Sequence, residues 1–267
     1  MNWWRHVMAM ELRKILAYRS DFWVTFLGQT FVQLFIARAL WQSVFESQNT
    51  SEMNGYTLPM MTLYYLIVPI GTKMLSGENI GFLSREIYEG TFNRYLIYPL
   101  SFAHYKILTY LTYSLFFGLQ MVILYTLYQG VFNTQDLTFA NMGHLFSGVA
   151  LFLVASLTYA LMAMSIELIA LWADNVWSLM VMMRFFTAFF GGGFIPLTFF
   201  PAWAVKVLAF TPFPYLISLP VRTVMGISSS VEVLNGVCVL FIWISVLAGV
   251  VHVLWKVGQK NYTGVGI

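Results

Sequence analysis

Charge is what this sequence has least of. Of its 267 residues only 9% are Asp, Glu, Lys or Arg, while 59% are hydrophobic. A soluble globular domain is about a quarter charged, so a shortfall of this size excludes a water-soluble fold. Cysteine is nearly missing. Cys238 stands alone inside an apolar run, which excludes an internal disulfide and a cysteine-based metal site and says little about redox compartment. There is no G-x-x-x-x-G-K-S/T phosphate loop, so the chain does not bind ATP in that way. There is no H-E-x-x-H and no G-x-S-x-G, which removes two hydrolase signatures. The four histidines, His6, His104, His144 and His252, are too scattered to suggest a metal cluster, and three of them fall near expected membrane boundaries. No internal repeat or low-complexity stretch is visible, which argues against an inverted-repeat secondary transporter.

What is present is a series of long apolar runs. At about 20 residues per span, the length accommodates six helices with short connections and leaves no room for a separate soluble domain of ~100 residues. The spacing predicts spans at 22–45, 57–76, 105–129, 143–170, 177–200 and 233–256. The expected class is therefore an all-α integral membrane protein, with residues 1–267 forming a single membrane domain.

The first run is read as a permanent anchor. Arg5, Glu11, Arg13, Lys14, Arg19 and Asp21 precede it, and no small-residue cleavage site follows. Within residues 1–21, Trp4, Val7, Met8, Leu12, Ile15 and Leu16 recur at helical spacing among basic residues. That pattern suits an interfacial helix with aromatics at the headgroups and cations toward anionic lipid. A short solvated tail is the plainer alternative.

Orientation follows from the placement of cations. Eleven of the 14 Lys and Arg fall on one side, from Arg5 through Lys73, Arg85, Arg94 and Lys106 to Lys256 and Lys260. The opposite loops, around 46–56 and 130–142, hold Glu46, Glu52 and Asp136 but no Lys or Arg. The positive-inside rule then puts both termini in the cytoplasm.

Two segments interrupt the up-and-down pattern. Residues 191–230 open with Gly191-Gly192-Gly193 and carry five of the eight prolines, yet stay strongly apolar. Proline breaks helices and lipid does not tolerate irregular exposed backbone, so short broken helices re-entering the outer leaflet are expected there. The other interruption is the cytoplasmic stretch 77–101. Phe82, Leu83 and Ile87 make an apolar side, Arg85, Glu86 and Glu89 a polar one, and Gly90 is a helix stop. A short amphipathic helix held between two spans suits docking into a groove of a soluble partner. An ordinary solvated turn fits the same residues.

Glu89-Gly90-Thr91-Phe92 followed by Leu96-Ile97-Tyr98-Pro99-Leu100-Ser101 resembles the stretch after the second span in permeases of the ABC-2 type export family. Phe199-Phe200-Pro201-Ala202-Trp203, then Thr211-Pro212-Phe213-Pro214-Tyr215 and Pro220-Val221 through Gly226, is similar to the region after the fifth span in one bacterial branch of it, a branch of poorly defined substrate. The resemblance implies the permease subunit of an ATP-binding-cassette exporter in the bacterial inner membrane. It implies a second permease chain, identical or paralogous, and an ATPase on a separate chain that carries the ATP and Mg. This chain would itself hold no cofactor, perform no covalent chemistry and bind no nucleic acid. Residues 1–21 would be the elbow helix, Phe82, Leu83, Arg85, Glu86, Ile87, Glu89 and Gly90 the coupling helix, and 191–230 the outer re-entrant segment. The cargo class suggested by an aromatic content of 18% is amphipathic or lipid-linked, although lipid-facing packing explains the aromatics equally well.

Five polar residues within the spans are pathway or interhelical candidates, because a charge in hydrocarbon costs at least ~2.5–3.5 kcal/mol. Glu167 and Arg184 share the cytoplasmic half and either pair between helices or reach the near interface separately. Gln29, Gln33 and Arg38 lie at near-helical spacing on the first span, where they either contact substrate or bond to other helices. Two rival classes are an ion-driven transporter or channel and a membrane-embedded lipid-modifying enzyme. The first predicts interrupted helices in corresponding positions of two halves, and the break here occurs once. The second needs acidic, His or Cys groups converging at one depth, and those present are dispersed.

Overall fold

Long apolar runs can hide their peptide groups in hydrocarbon only by bonding them internally, and helices do so without a partner segment. The computed structural model describes residues 3–17, 19–76, 83–89, 91–97, 101–132, 142–173 and 176–261. Within them the chain is almost wholly helical. In order come α1 (Trp3–Ala17), α2 (Arg19–Gln48), α3 (Leu58–Ser76), α4 (Leu83–Tyr88), α5 (Asn93–Ile97), α6 (Phe102–Phe132), α7 (Met142–Glu167) and α8 (Trp177–Phe190). The short helices α9 (Ala202–Leu208), α10 (Phe213–Leu216) and α11 (Ser218–Val224) precede the long α12 (Ser230–Asn261).

Among the described residues four helices are long and apolar enough to cross a membrane: α3, α6, α12, and α7 continued by the 3₁₀ turn Leu168–Leu171. A fifth span results if α9 is joined to Phe213–Val224, a pair bent by 79°. Length does not disqualify α2, whose 30 residues reach ~45 Å. Its composition is the obstacle, since Gln29, Gln33, Arg38 and Gln42 lower the hydropathy of its sequence. The predicted run 177–200 is helical only to Phe190, and 14 residues cover ~21 Å of a ~30 Å hydrocarbon core. Glycine ends it: Gly192 sits at φ +86°, a left-handed conformation unfavourable for side-chain-bearing residues. The Gly193 and Phe194 amides then both turn back to the Ala188 carbonyl.

The core is α3 against α6 and α7, with α11 and α12 packed on α7, α11 also touching α3, and α2 alongside α3. Tyr64, Ile67 and Met74 of α3, Phe117 and Met121 of α6, and Phe152 and Ala155 of α7 are buried together. Gly148 allows α11 to approach α7: a Cβ there would stand 2.8 Å from the Val224 backbone nitrogen. The Ser114 hydroxyl donates to the Met74 carbonyl at 2.7 Å and ties α6 to α3. By contrast α2 leaves Val24, Phe31, Val32, Phe35 and Ile36 exposed, and α12 leaves Phe241, Ile242 and Val246 exposed. In α1, which packs on α6, Val7, Glu11 and Ile15 are buried while Trp4, Leu12 and Leu16 are exposed. The apolar positions of α1 therefore occupy more than one side of the helix.

Each proline after α8 sits where a missing N–H costs little. Pro196 precedes a 3₁₀ turn, Pro201 and Pro212 precede α9 and α10, and Pro214 and Pro220 fall in first turns. This segment is fastened to α3 by Tyr64, whose hydroxyl donates to the Gly192 carbonyl at 2.6 Å, and by Tyr65, which donates to the Phe194 carbonyl at 2.6 Å. α12 begins with a reciprocal cap. The Ser229 amide donates to the Glu232 carboxylate at 3.1 Å, and the Glu232 amide donates to the Ser229 hydroxyl at 3.2 Å. The loop between α2 and α3 holds a feature not expected in an all-α chain, a two-residue hairpin of β1 (Glu52–Met53) and β2 (Tyr56–Thr57). Its Asn54-Gly55 turn has both φ angles positive, which matches strand twist.

Candidate functional site

Among its described residues, the stretch between α3 and α6 forms the six-residue helix α4, followed by the single turn of α5. Leu83 is fully buried, Ile87 is half-buried, and α4 lies against the 3₁₀ turn that ends α7. The two acids of α4 separate. Glu89 faces outward, accepting from Arg85 Nε at 2.6 Å across one helical turn, with both side chains largely exposed. That hydrogen bond, and then the Glu89 charge, push the Arg85 pKa up, so the guanidinium stays charged at any physiological pH.

Glu86 faces the other way. Its carboxylate accepts from the Tyr95 hydroxyl at 3.1 Å and lies 3.8 Å from Lys106 Nζ. Lys106 is buried and stands 3.8 Å from a second carboxylate, the fully buried Glu167 at the end of α7. The rings of Tyr95 and Phe102 each lie 5.7 Å from the ammonium, a distance suited to cation–π attraction. Phe102 stacks on Trp255 of α12 at 4.8 Å, and Phe92 meets the same indole at 6.0 Å. Four elements thus meet under α4: α5, the start of α6, the end of α7 and the end of α12. Through Lys106, Glu86 of α4 is thus linked to the start of α6 and the end of α7. Buried ions tolerate such a site only when paired and hydrogen-bonded, so this junction resists loosening.

Phe82 and Gly90, both assigned to the coupling helix from sequence, lie outside the described residues. Lys106 and Tyr95 were missed as site residues. The available signal is a lysine at the second position of the predicted span 105–129, which the count of cations by side treats only as a topological marker. Lys106 stands beside Glu167, and Arg184 is exposed on α8 near the Tyr159 hydroxyl.

A second site lies within the bundle. A cavity of about 980 Å³ opens between α2, α3, α7 and α8, in the size range of small-molecule sites. Gln33 and Arg184 line it, together with Lys73, Thr187, Trp41 and Phe194. Arg38 is exposed on α2, and the Gln29 side chain lies outside the described residues. Among the described residues no group of His, Cys, Asp and Glu is arranged to hold a metal ion.

The arrangement is that of a multi-pass membrane protein with a short polar helix braced against the ends of its long helices. No curated protein and no solved structure matches the chain. One family model does, over residues 27–266, and its description is ABC-2 family transporter protein. That match runs from within α2 through α12, so the chain belongs to the ABC-2 transporter family, as one of its membrane permeases.

Proposed function

We propose that this chain is the transmembrane subunit of an ATP-driven exporter, and that α4 is the element through which a separate ATPase moves it. The observation that carries the proposal is the junction at Lys106. A soluble partner engaging the exposed Arg85–Glu89 side of α4 would push, through Glu86, on Lys106 and Glu167, and so on α6 and α7. Energy would enter because ATP binds one arrangement of the paired ATPases better than the other, and a rigid α4 transmits that preference to the spans.

In this reading α2 and α8 also cross the membrane, giving six spans with both termini in the cytoplasm. Support for α2 is its 30-residue length and exposed apolar surface. Support for α8 is the folded Gly191–Val224 segment, which continues it as broken helices and would close the outer end. The helix α1 would lie at the cytoplasmic interface. A second permease chain would cover the exposed Phe185, Phe186 and Phe189 of α8. The localisation is the bacterial cytoplasmic membrane.

The test is affinity purification of the tagged full chain from native membranes in mild detergent. A stoichiometric ATPase with a phosphate loop supports the proposal, and a second, different permease in the complex makes the pathway heteromeric. Recovery of the chain without any ATPase, from membranes in which other transporters stay assembled, would refute it.

A further inference from the structure

Three sides of α1 have different surroundings. Val7, Glu11 and Ile15, spaced by four, are its buried residues, and α1 packs on α6. Leu12 and Leu16, also spaced by four, are exposed. Along a further side, at spacings of three and four, the exposed His6, Ala9, Met10, Arg13, Lys14 and Ala17 line an open groove of about 390 Å³. The single acid of α1, Glu11, is engaged by Lys14, whose ammonium donates to its carboxylate at 2.8 Å. Arg5 lies over the Trp4 ring at 5.4 Å. Arg13 has no such partner. Three and four residues to either side of it stand Ala9, Met10, Leu16 and Ala17, none of them acidic. Among the described residues, neither the Arg13 guanidinium nor the His6 ring has an ion pair or a hydrogen bond.

A free cation beside exposed leucines restricts the partner. A small anion from water would leave Leu12 and Leu16 uncovered, and a neutral lipid would bring Arg13 no counter-charge. An anionic phospholipid supplies both, since its phosphate matches the guanidinium and its chains cover the leucines. Ala9 and Ala17, one turn before and after Arg13, leave room for a head group to reach it. His6 and Arg13 are two turns apart, about 10 Å along the axis, so a lipid carrying two phosphates would meet both. We infer that this groove holds the head group of one anionic phospholipid, with a phosphate on Arg13, His6 as a second contact, and acyl chains along Leu12 and Leu16. The site is more than the general attraction of cations to a charged surface, because it selects one groove on one helix. It rests on the permease reading only in placing α1 at the membrane surface. The co-purification above tests the ATPase separately, and lipid binding to the purified chain needs no ATPase.

The experiment titrates the full chain, delipidated in dodecyl maltoside, with phosphatidylglycerol or with phosphatidylcholine of the same acyl chains. Native mass spectrometry counts the lipids retained. One phosphatidylglycerol per chain should be held at least about tenfold more tightly than phosphatidylcholine. Arg13→Gln should weaken phosphatidylglycerol about fivefold, the worth of one cation at an anionic lipid surface. His6→Gln should weaken it less, and Arg13→Lys should keep most of the affinity. Lys260→Gln, which removes an exposed cation from the last turn of α12, should leave it unchanged. The melting temperature should stay the same in all four variants, because each side chain is exposed. Tighter retention of cardiolipin than of phosphatidylglycerol supports the site, with the second phosphate at His6. Equal retention of phosphatidylcholine would overturn the inference. So would a loss from Lys260→Gln as large as that from Arg13→Gln, or displacement of the lipid by an equal concentration of glycerol 3-phosphate.

Discussion

Lys106 Nζ lies 3.8 Å from a carboxylate oxygen of Glu86 and 3.8 Å from one of Glu167, so a single ammonium joins α4 to the end of α7. Removing it takes a cation away from the buried Glu167 and the half-buried Glu86. Lys106→Met should therefore destabilise the chain by about 3–5 kcal/mol, the usual cost of breaking a buried pair from one side. Restoring neutrality should recover most of that. The triple variant Glu86→Gln/Lys106→Met/Glu167→Gln is expected to melt much closer to the parent than Lys106→Met does. Size-exclusion of the detergent-solubilised chain after graded heating reads both, and a triple variant no better than the single would contradict the charge account.

The outward pair of α4 predicts the opposite pattern. Exposed ion pairs at one-turn spacing contribute little to stability, so the exchange Arg85→Glu/Glu89→Arg should leave the melting temperature unchanged. It presents reversed charges to whatever docks there, and like charges across an interface cost several kcal/mol. ATPase recovered with the permease should fall at least about tenfold. Quantitative co-purification measures this.

Packing at α7 and α11 yields a steric prediction. Gly148 faces Val224 so closely that an added Cβ would lie 2.8 Å from its backbone nitrogen and 3.1 Å from the Pro220 carbonyl. Backbone cannot give way as a flexible side chain can, so Gly148→Val should cost about 1–3 kcal/mol or more. Gly28, which has nothing near its missing Cβ, should accept alanine without loss and serves as the control in the same melting series.

The turn after α8 makes a fourth test. Tyr64 donates to the Gly192 carbonyl from a fully buried position, and Gly192 itself is left-handed. Tyr64→Phe should lose about 0.5–1.5 kcal/mol, whereas Gly192→Ala adds backbone strain of about 1–2 kcal/mol. Proteolysis within 191–224 should accelerate in both variants relative to cleavage elsewhere in the chain.

Most of the fold was legible because apolar run length and helix length are set by the same membrane thickness. The runs 57–76, 105–129, 143–170 and 233–256 appear as α3, α6, α7 with its 3₁₀ turn, and α12, with ends within a few residues. The run 177–200 reads as continuous hydropathy, but hydropathy does not register that Gly191–Gly193 supply no helix propensity, so α8 stops ten residues short of the expected end. The hairpin turn at Asn54-Gly55 was readable from its dipeptide and was overlooked because its strands are two residues long. The candidate site was legible in outline only. Glu86 and Glu89 are three apart and belong on neighbouring positions of a helix, and local spacing treats them alike. What separates them is tertiary: Tyr95 and Lys106 come from two other elements and draw Glu86 inward. Lys73 and Thr187 were passed over for the same reason, since only packing brings α3 and α8 to one cavity.

The central claim is that α4 is where an ATPase grips this permease, and cross-linking at Glu89 tests it most directly. A benzophenone photo-cross-linker is attached at Glu89→Cys in a Cys238→Ser background, since Cys238 is exposed and the sole native thiol. The full chain is then irradiated in native membranes with and without ATP. The account predicts one dominant adduct, to a protein with a phosphate loop, whose yield changes with nucleotide. An adduct to that ATPase from Lys260→Cys but none from Glu89→Cys would contradict it, as would adducts to lipid alone.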